Sequence, residues 1–204
     1  IVMIVRDTAA TARQLAAGHY FRCPWDGCAG SLGPWGSART RPVRRLGGGT
    51  DSSTPKRAIC RTCRRSQVML PTIAFPRRAD NVETVFKAVA LAVNGAGHRK
   101  VAAQVGVPET TVRGWLRRAR ANAEIIRANA TVSMCALDPL APRINPTGTL
   151  LGDMLEAVGL ATMAWEALLG QRPPVVPRLE VSALLTGGEL LMPNPAGFAY
   201  WPIP

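Results

Sequence analysis

Long apolar runs, histidine, lysine and aromatic residues are all scarce in this chain, and each scarcity removes a class of function. No apolar run approaches the ~18 residues that a membrane span requires. No signal-peptide pattern precedes the first polar residues. The sequence therefore points to a cytoplasmic protein with no membrane partner, and Ile1-Val2 ahead of Met3 places the expected start at Met3. With only 2 His, neither a Ser-His-Asp nor a Cys-His pairing occurs in a sensible context. Gly47-Gly48-Gly49 follows no apolar strand and precedes no helix, so it does not read as a phosphate loop. No catalytic constellation is found, and a non-enzymatic protein is expected. Aromatic residues make up 5% of a chain of 204 residues with 17 Pro and 19 Gly, which favours small modules joined by loops over one large core.

Lysine is replaced almost wholly by arginine, 22 Arg to 3 Lys. That bias, with abundant Ala, Gly and Pro, suggests a high-GC bacterial genome and inflates arginine for no functional reason. Clustering is therefore more informative than the total of +12. Residues 1–130 hold 22 basic against 7 acidic residues, an excess of 15, whereas residues 131–204 hold 3 against 6. The first part carries the signature of a polyanion binder.

Within it, His98 to Arg118 has the pattern of a helix-turn-helix. Two short helices crossing steeply need a small residue at closest approach, a tight turn and a few apolar contacts. Ala102 supplies the first, Gly106 the second, and Val101, Val105, Val107, Val112 and Trp115 the third. Pro108 suits the first turn of the second helix, where no backbone donor is missed. The outer face of that helix is left with Thr110, Thr111, Arg113, Gly114, Arg117 and Arg118, with Arg120 beyond them and Arg99 and Lys100 on the preceding helix. Arg113, one turn from the helix start, is expected to read a base edge, and Arg118 and Arg120 to grip phosphate. The alternative is an ordinary helical hairpin with solvated arginines.

Four of the 5 Cys fall in two close pairs, Cys23/Cys28 across a Pro-Asp-Gly turn and Cys60/Cys63. Two such knuckles are how a chain presents four thiolates to zinc. Four unrelated thiols, or disulfides, are the alternative, and a reduced cytosol disfavours the latter. His19 is expected at the surface and Cys135 as a small buried hydrophobe.

Asp7 or Thr8 caps a short helix that Gly18 ends. Ser37 to Leu46 reads as a ribbon with arginine at nearly alternate places, turned by Gly47 to Pro55. Val68 to Pro76 is expected to be an extended connector held by Pro71 and Pro76. Asp80 or Asn81 then caps the first helix of a three-helix unit, whose third helix is expected to reach about Asn129. After a Pro-rich linker at 138–146, residues 146–169 carry Leu151, Leu155, Val158, Thr162, Trp165 and Leu169 on one helical stripe. The tail, with Leu184, Leu185, Leu190, Leu191, Met192, Phe198, Tyr200 and Trp201, is too apolar for disorder and is expected to cover the helical unit or a second subunit as a homodimer contact.

The cysteine pairs, followed by a helix-turn-helix ending Thr-Val-Arg-Gly-Trp-Leu-Arg-Arg at 111–118, resemble the zinc-ribbon and DNA-binding front end of insertion-sequence transposases and uncharacterised bacterial helix-turn-helix proteins. The resemblance covers about residues 21–118 and implies zinc on Cys23, Cys28, Cys60 and Cys63 and double-stranded DNA against 110–118. It stops before a catalytic core: only 74 residues follow Ala130, and Asp138, Asp153 and Glu156 lie on a linker and one helix without the strands that core uses. The expected fold is mainly α with a small β zinc ribbon, arranged as a ribbon segment over 1–70, a helix-turn-helix domain over 77–130 and a C-terminal helix with an apolar tail over 145–204. The expected function is sequence-specific DNA binding, as a transcriptional regulator or the recognition component of a mobile element. The alternatives are a fragment or subunit of a transposase and a protein-interaction module with secondary DNA binding.

Overall fold

The computed structural model describes residues 2–169 and 177–192. Among these residues the chain is mixed α/β, with six α-helices and two small sheets. More of it is strand than a mainly α chain with a small ribbon would hold. The difference lies at one edge of the larger sheet. Strand β1 (Val2–Val5) pairs in parallel with β6 (Ser66–Pro71), in register Val2 to Val68 and Ile4 to Leu70. The expected connector at 68–76 is therefore a strand through Pro71, the last residue of the ladder, where a missing N–H costs no pairing beyond it. Its apolar residues do not point to solvent: Met69 and Leu70 are buried.

The larger sheet runs β1-β6-β5-β2, with β2 at Leu32–Ser37 and β5 at Lys56–Cys60. A separate hairpin pairs β3 (Arg41–Arg44) with β4 (Thr50–Ser53) around the three glycines, all at positive φ. Helix α1 (Thr8–Ala16) starts on Asp7, whose side chain accepts from the Ala9 and Ala10 amides at 2.7 and 3.0 Å. The Thr8 hydroxyl donates to the Met69 carbonyl at 3.0 Å and accepts from the Lys56 amide at 2.8 Å, which fastens that helix to the sheet.

The arginine hairpin is docked on the helical part. Arg44 forks onto buried Asp80 through Nε and Nη2, both at 2.9 Å, and its backbone pairs with Ala79 and Asn81. Asn81 then caps α2 (Val82–Val93), and Gly97 precedes α3 (His98–Val105). Gly106 ends α3 at φ 68°, a left-handed conformation that glycine adopts without Cβ strain. Helix α4 (Glu109–Leu137) is longer than expected, because Ala130, Ser133, Met134 and Leu137 are buried and extend its packed face. That face lies along α5 (Leu150–Leu169), and α6 (Arg178–Leu185) and a 3-10 turn at Glu189–Leu191 close over α2 and α4. One apolar core thus runs from Phe75 to Leu191, joining residues 77–130 to those after 145. Leu155 is only partly buried on the α5 stripe. Phe198, Tyr200 and Trp201 lie outside the described residues. No helix among the described residues is long and apolar enough to cross a membrane.

Candidate metal centre and nucleic-acid interface

Both cysteine pairs sit in turns that sheet pairing brings together. The first lies between Arg22 and Ser31, which bridge antiparallel, with the Cys23 amide donating to the Gly30 carbonyl at 2.8 Å. The second lies at the turn from β5 to β6, where Arg64 takes φ 60° and its amide donates to the Cys60 carbonyl at 3.1 Å. Because Leu32 faces Cys60 across the β2–β5 ladder, the two turns meet. Cys23 Sγ lies 3.7 Å from Cys63 Sγ, Cys28 Sγ lies 3.7 Å from Cys60 Sγ, and all four sulfurs fall within 4.8 Å of one another.

Those spacings fit a metal. Four sulfurs about 2.3 Å from a tetrahedral zinc stand about 3.8 Å apart. The amides of Gly30 and Cys63 donate to Cys28 Sγ and Cys60 Sγ, each at 3.4 Å, and hydrogen bonds of this kind favour a thiolate. Burial opposes the Cys60 thiolate, but the amides of Cys63 and Thr62 and the neighbouring thiols bring that thiol down to about 6. Burial pushes Cys23 up to about 12, against one lowering bond from Trp25. Four thiolates at such distances need a bound cation to offset their mutual repulsion. A four-sulfur set suits zinc and iron alike. His19 is exposed and outside the cluster. Cys135, expected to be buried, is exposed on α4, because it lies opposite the side that packs on α5.

A close contact missed by sequence reading holds the two knuckles together. A Cβ at Gly30 would lie 2.8 Å from Cys60 Sγ and closer still to Thr62, so only glycine fits there. The knuckle surface is basic, with Arg61, Arg64 and Arg65 exposed and Arg65 lying 4.2 Å over the Trp25 ring.

The α3–α4 pair presents a different kind of surface. Val101, Ala102, Val105, Val107, Val112 and Trp115 are all buried. Thr110, Arg113, Arg117 and Arg120 are exposed along one side of α4, at the three- and four-residue steps that share a helix face. Thr111, Gly114 and Arg118 are half-buried on its flank. Arg118 Nη1 donates to the Gly114 carbonyl at 3.3 Å, and a Cβ at Gly114 would stand 3.2 Å from that nitrogen. The glycine therefore gives room to this guanidinium, in addition to any gap it leaves for a partner. Arg99 and Lys100 are exposed at the start of α3, with Arg99 Nε 3.6 Å from Glu109.

Arg78 belongs beside this set and was not singled out from the sequence, where only the doublet Arg77-Arg78 marks it. Burial lowers its pKa, and the positive charges of Arg118 and Arg77 lower it further. Its Nη2 donates to the Leu191 carbonyl at 3.1 Å. The hairpin arginines divide: Arg44 and Arg45 face Asp80 and Asp51, whereas Arg41 has no ion-pair partner among the described residues.

Comparison of the chain with protein-family models, with curated proteins and with solved structures gives no match.

Proposed function

We propose that this chain binds duplex DNA sequence-specifically, using α3 and α4 as a helix-turn-helix and a zinc ion on Cys23, Cys28, Cys60 and Cys63 as a structural clamp. The observation that carries the reading is the exposed stripe Thr110, Arg113, Arg117 and Arg120 on a helix whose opposite side, Val112, Trp115 and Leu116, is buried. A helix lying in the major groove needs this division, because the buried side fixes its angle while the outer side reaches base edges. Arg113, nearest the helix start, suits a guanine edge, and Arg120, two turns on, suits phosphate. Lys100 adds positive charge at the neighbouring helix start, where Arg99 is paired with Glu109. Such a protein acts as a transcriptional regulator or as the recognition component of a mobile element, and the reading assigns it no catalysis.

The test is the affinity for duplex DNA across a range of salt, for the wild type and for Arg117→Ala with Arg120→Ala, with and without chelator. Binding should weaken steeply with salt, and the double variant should flatten the slope by about two. A binding constant independent of salt would contradict the reading. Chelator should abolish metal but spare most DNA affinity, since the helix pair has its own core. If chelation leaves DNA binding absent while a protein partner is still captured, the interaction-module reading replaces it.

A further inference from the structure

The arginines of the β3–β4 hairpin fall into two sets. Arg44 and Arg45 are neutralised by Asp80 and Asp51. Arg41 shares the alternate face of the strand with Val43, which is fully buried and packs with Leu70. The Arg41 guanidinium is thereby carried inward, where its Nε and Nη2 are shielded from solvent without a hydrogen-bond partner. Beside it is a cavity of about 250 Å³ whose walls hold Arg39, Arg41 and Arg77 and no carboxylate, over a floor that includes Val68, Leu70 and Pro76. Arg77 reaches this wall from a left-handed backbone, φ 59°, that an ordinary side chain rarely adopts.

We propose that this cleft between the hairpin and the larger sheet binds a phosphate ester, its oxygens held by Arg39, Arg41 and Arg77. A buried guanidinium without a counter-charge is costly, and arginine cannot shed its proton at neutral pH. An incoming anion supplies the missing partner. Three guanidiniums match the charge and multiple oxygens of a phosphate better than a single carboxylate. The apolar floor matches the sugar or alkyl body of an ester, which bare phosphate lacks. The same chemistry can come from a free nucleotide or sugar phosphate, or from the sugar-phosphate backbone of a nucleic acid. None of Thr110, Arg113, Arg117 and Arg120 lines this cleft.

Calorimetric titration with deoxyribose 5-phosphate and with inorganic phosphate, together with duplex binding across salt, tests the site in four proteins: wild type, Arg41→Met, Arg77→Gly and Arg113→Ala. Glycine suits the φ of residue 77, and Arg41→Met removes an unpaired charge while keeping an unbranched apolar stem, so both variants should keep the wild-type melting temperature. The sugar phosphate should bind wild type more tightly than inorganic phosphate. Arg41→Met and Arg77→Gly should each weaken it by about 10-fold or more, with Arg113→Ala unchanged. If small phosphates do not bind, but both cleft variants flatten the salt slope on duplex by about one each, the ester is the nucleic-acid backbone. Unchanged binding of every probe in both variants would overturn the proposal. So would a loss of binding that appears only with a matching loss of melting temperature. Arg113→Ala separates the two readings, since a failed α4 stripe leaves the cleft results intact.

Discussion

Single residues settle the geometry of the four-cysteine cluster and one pH response. Gly30 is held between the knuckles with no space for a methyl group. Gly30→Ala should destabilise the sheet by about 1–3 kcal/mol and lower the metal content after dialysis. An unchanged denaturation midpoint and metal content would show that the knuckles can part. Glu189 gives the pH response, since burial pushes its carboxyl up to about 7 from 4.5 and Oε2 has no hydrogen-bond partner. A folded-state pKa above the unfolded value means that this residue favours the fold most fully below pH 4.5 and progressively less as the pH rises through about 7. Glu189→Gln should therefore be more stable than wild type above pH 7 and lose that advantage towards pH 4.5. Equal melting temperatures at both ends would contradict a half-buried, unpaired carboxylate oxygen. The four cysteines were legible because two close pairs in turns are an unusual pattern. Gly30 was not, because its constraint comes from Thr62 and Cys60, which only folding brings near.

At the scale of elements, local signals were readable wherever one element supplies its own boundary. Asp7 and Asn81 as caps and Gly106 as a stop are decided by neighbours in sequence. Strands β1 and β6 were not legible as partners, since more than sixty residues separate Val2 from Val68 and their pairing is parallel. The continuation of α4 to Leu137 was likewise hidden, because the face that rewards it is supplied by α5. Gly106 offers a clean test of the turn. Its added Cβ would meet nothing within 4 Å, so Gly106→Ala should cost only the left-handed strain, about 1–2 kcal/mol. Chemical denaturation measures it. A loss well beyond that would mean that the α3–α4 angle itself depends on this residue.

Over the whole molecule, the cysteine-bearing sheet and the helical core are distinct clusters, joined through the docked hairpin and the segment around Ala74. Structural metal binding is folding free energy, so Cys60→Ser should lower metal from one ion per chain towards none and unfold the sheet at lower denaturant. Helical circular dichroism should survive, because the helical core excludes the cysteines. Elemental analysis with circular dichroism decides the matter, and a metal-free but fully folded wild type would remove the metal from the account. Residues 131–204 add no net positive charge, but the described residues after 145 are not dispensable to the fold, because the core runs from Phe75 to Leu191 and α5 covers the packed face of α4. The charge imbalance was readable from composition, but which arginines stand free was not. Asp80, Asp51 and Glu109 neutralise some of them, and only the fold selects which.

The proposed DNA-binding face meets its most direct test in a selected-site experiment on wild type and Arg113→Ala. Wild type should recover a defined duplex sequence. Arg113→Ala should bind that sequence about 1–3 kcal/mol more weakly and relax the preference at one base pair, while non-specific affinity changes little. If Arg113→Ala keeps the wild-type sequence preference, α4 does not read DNA through this face.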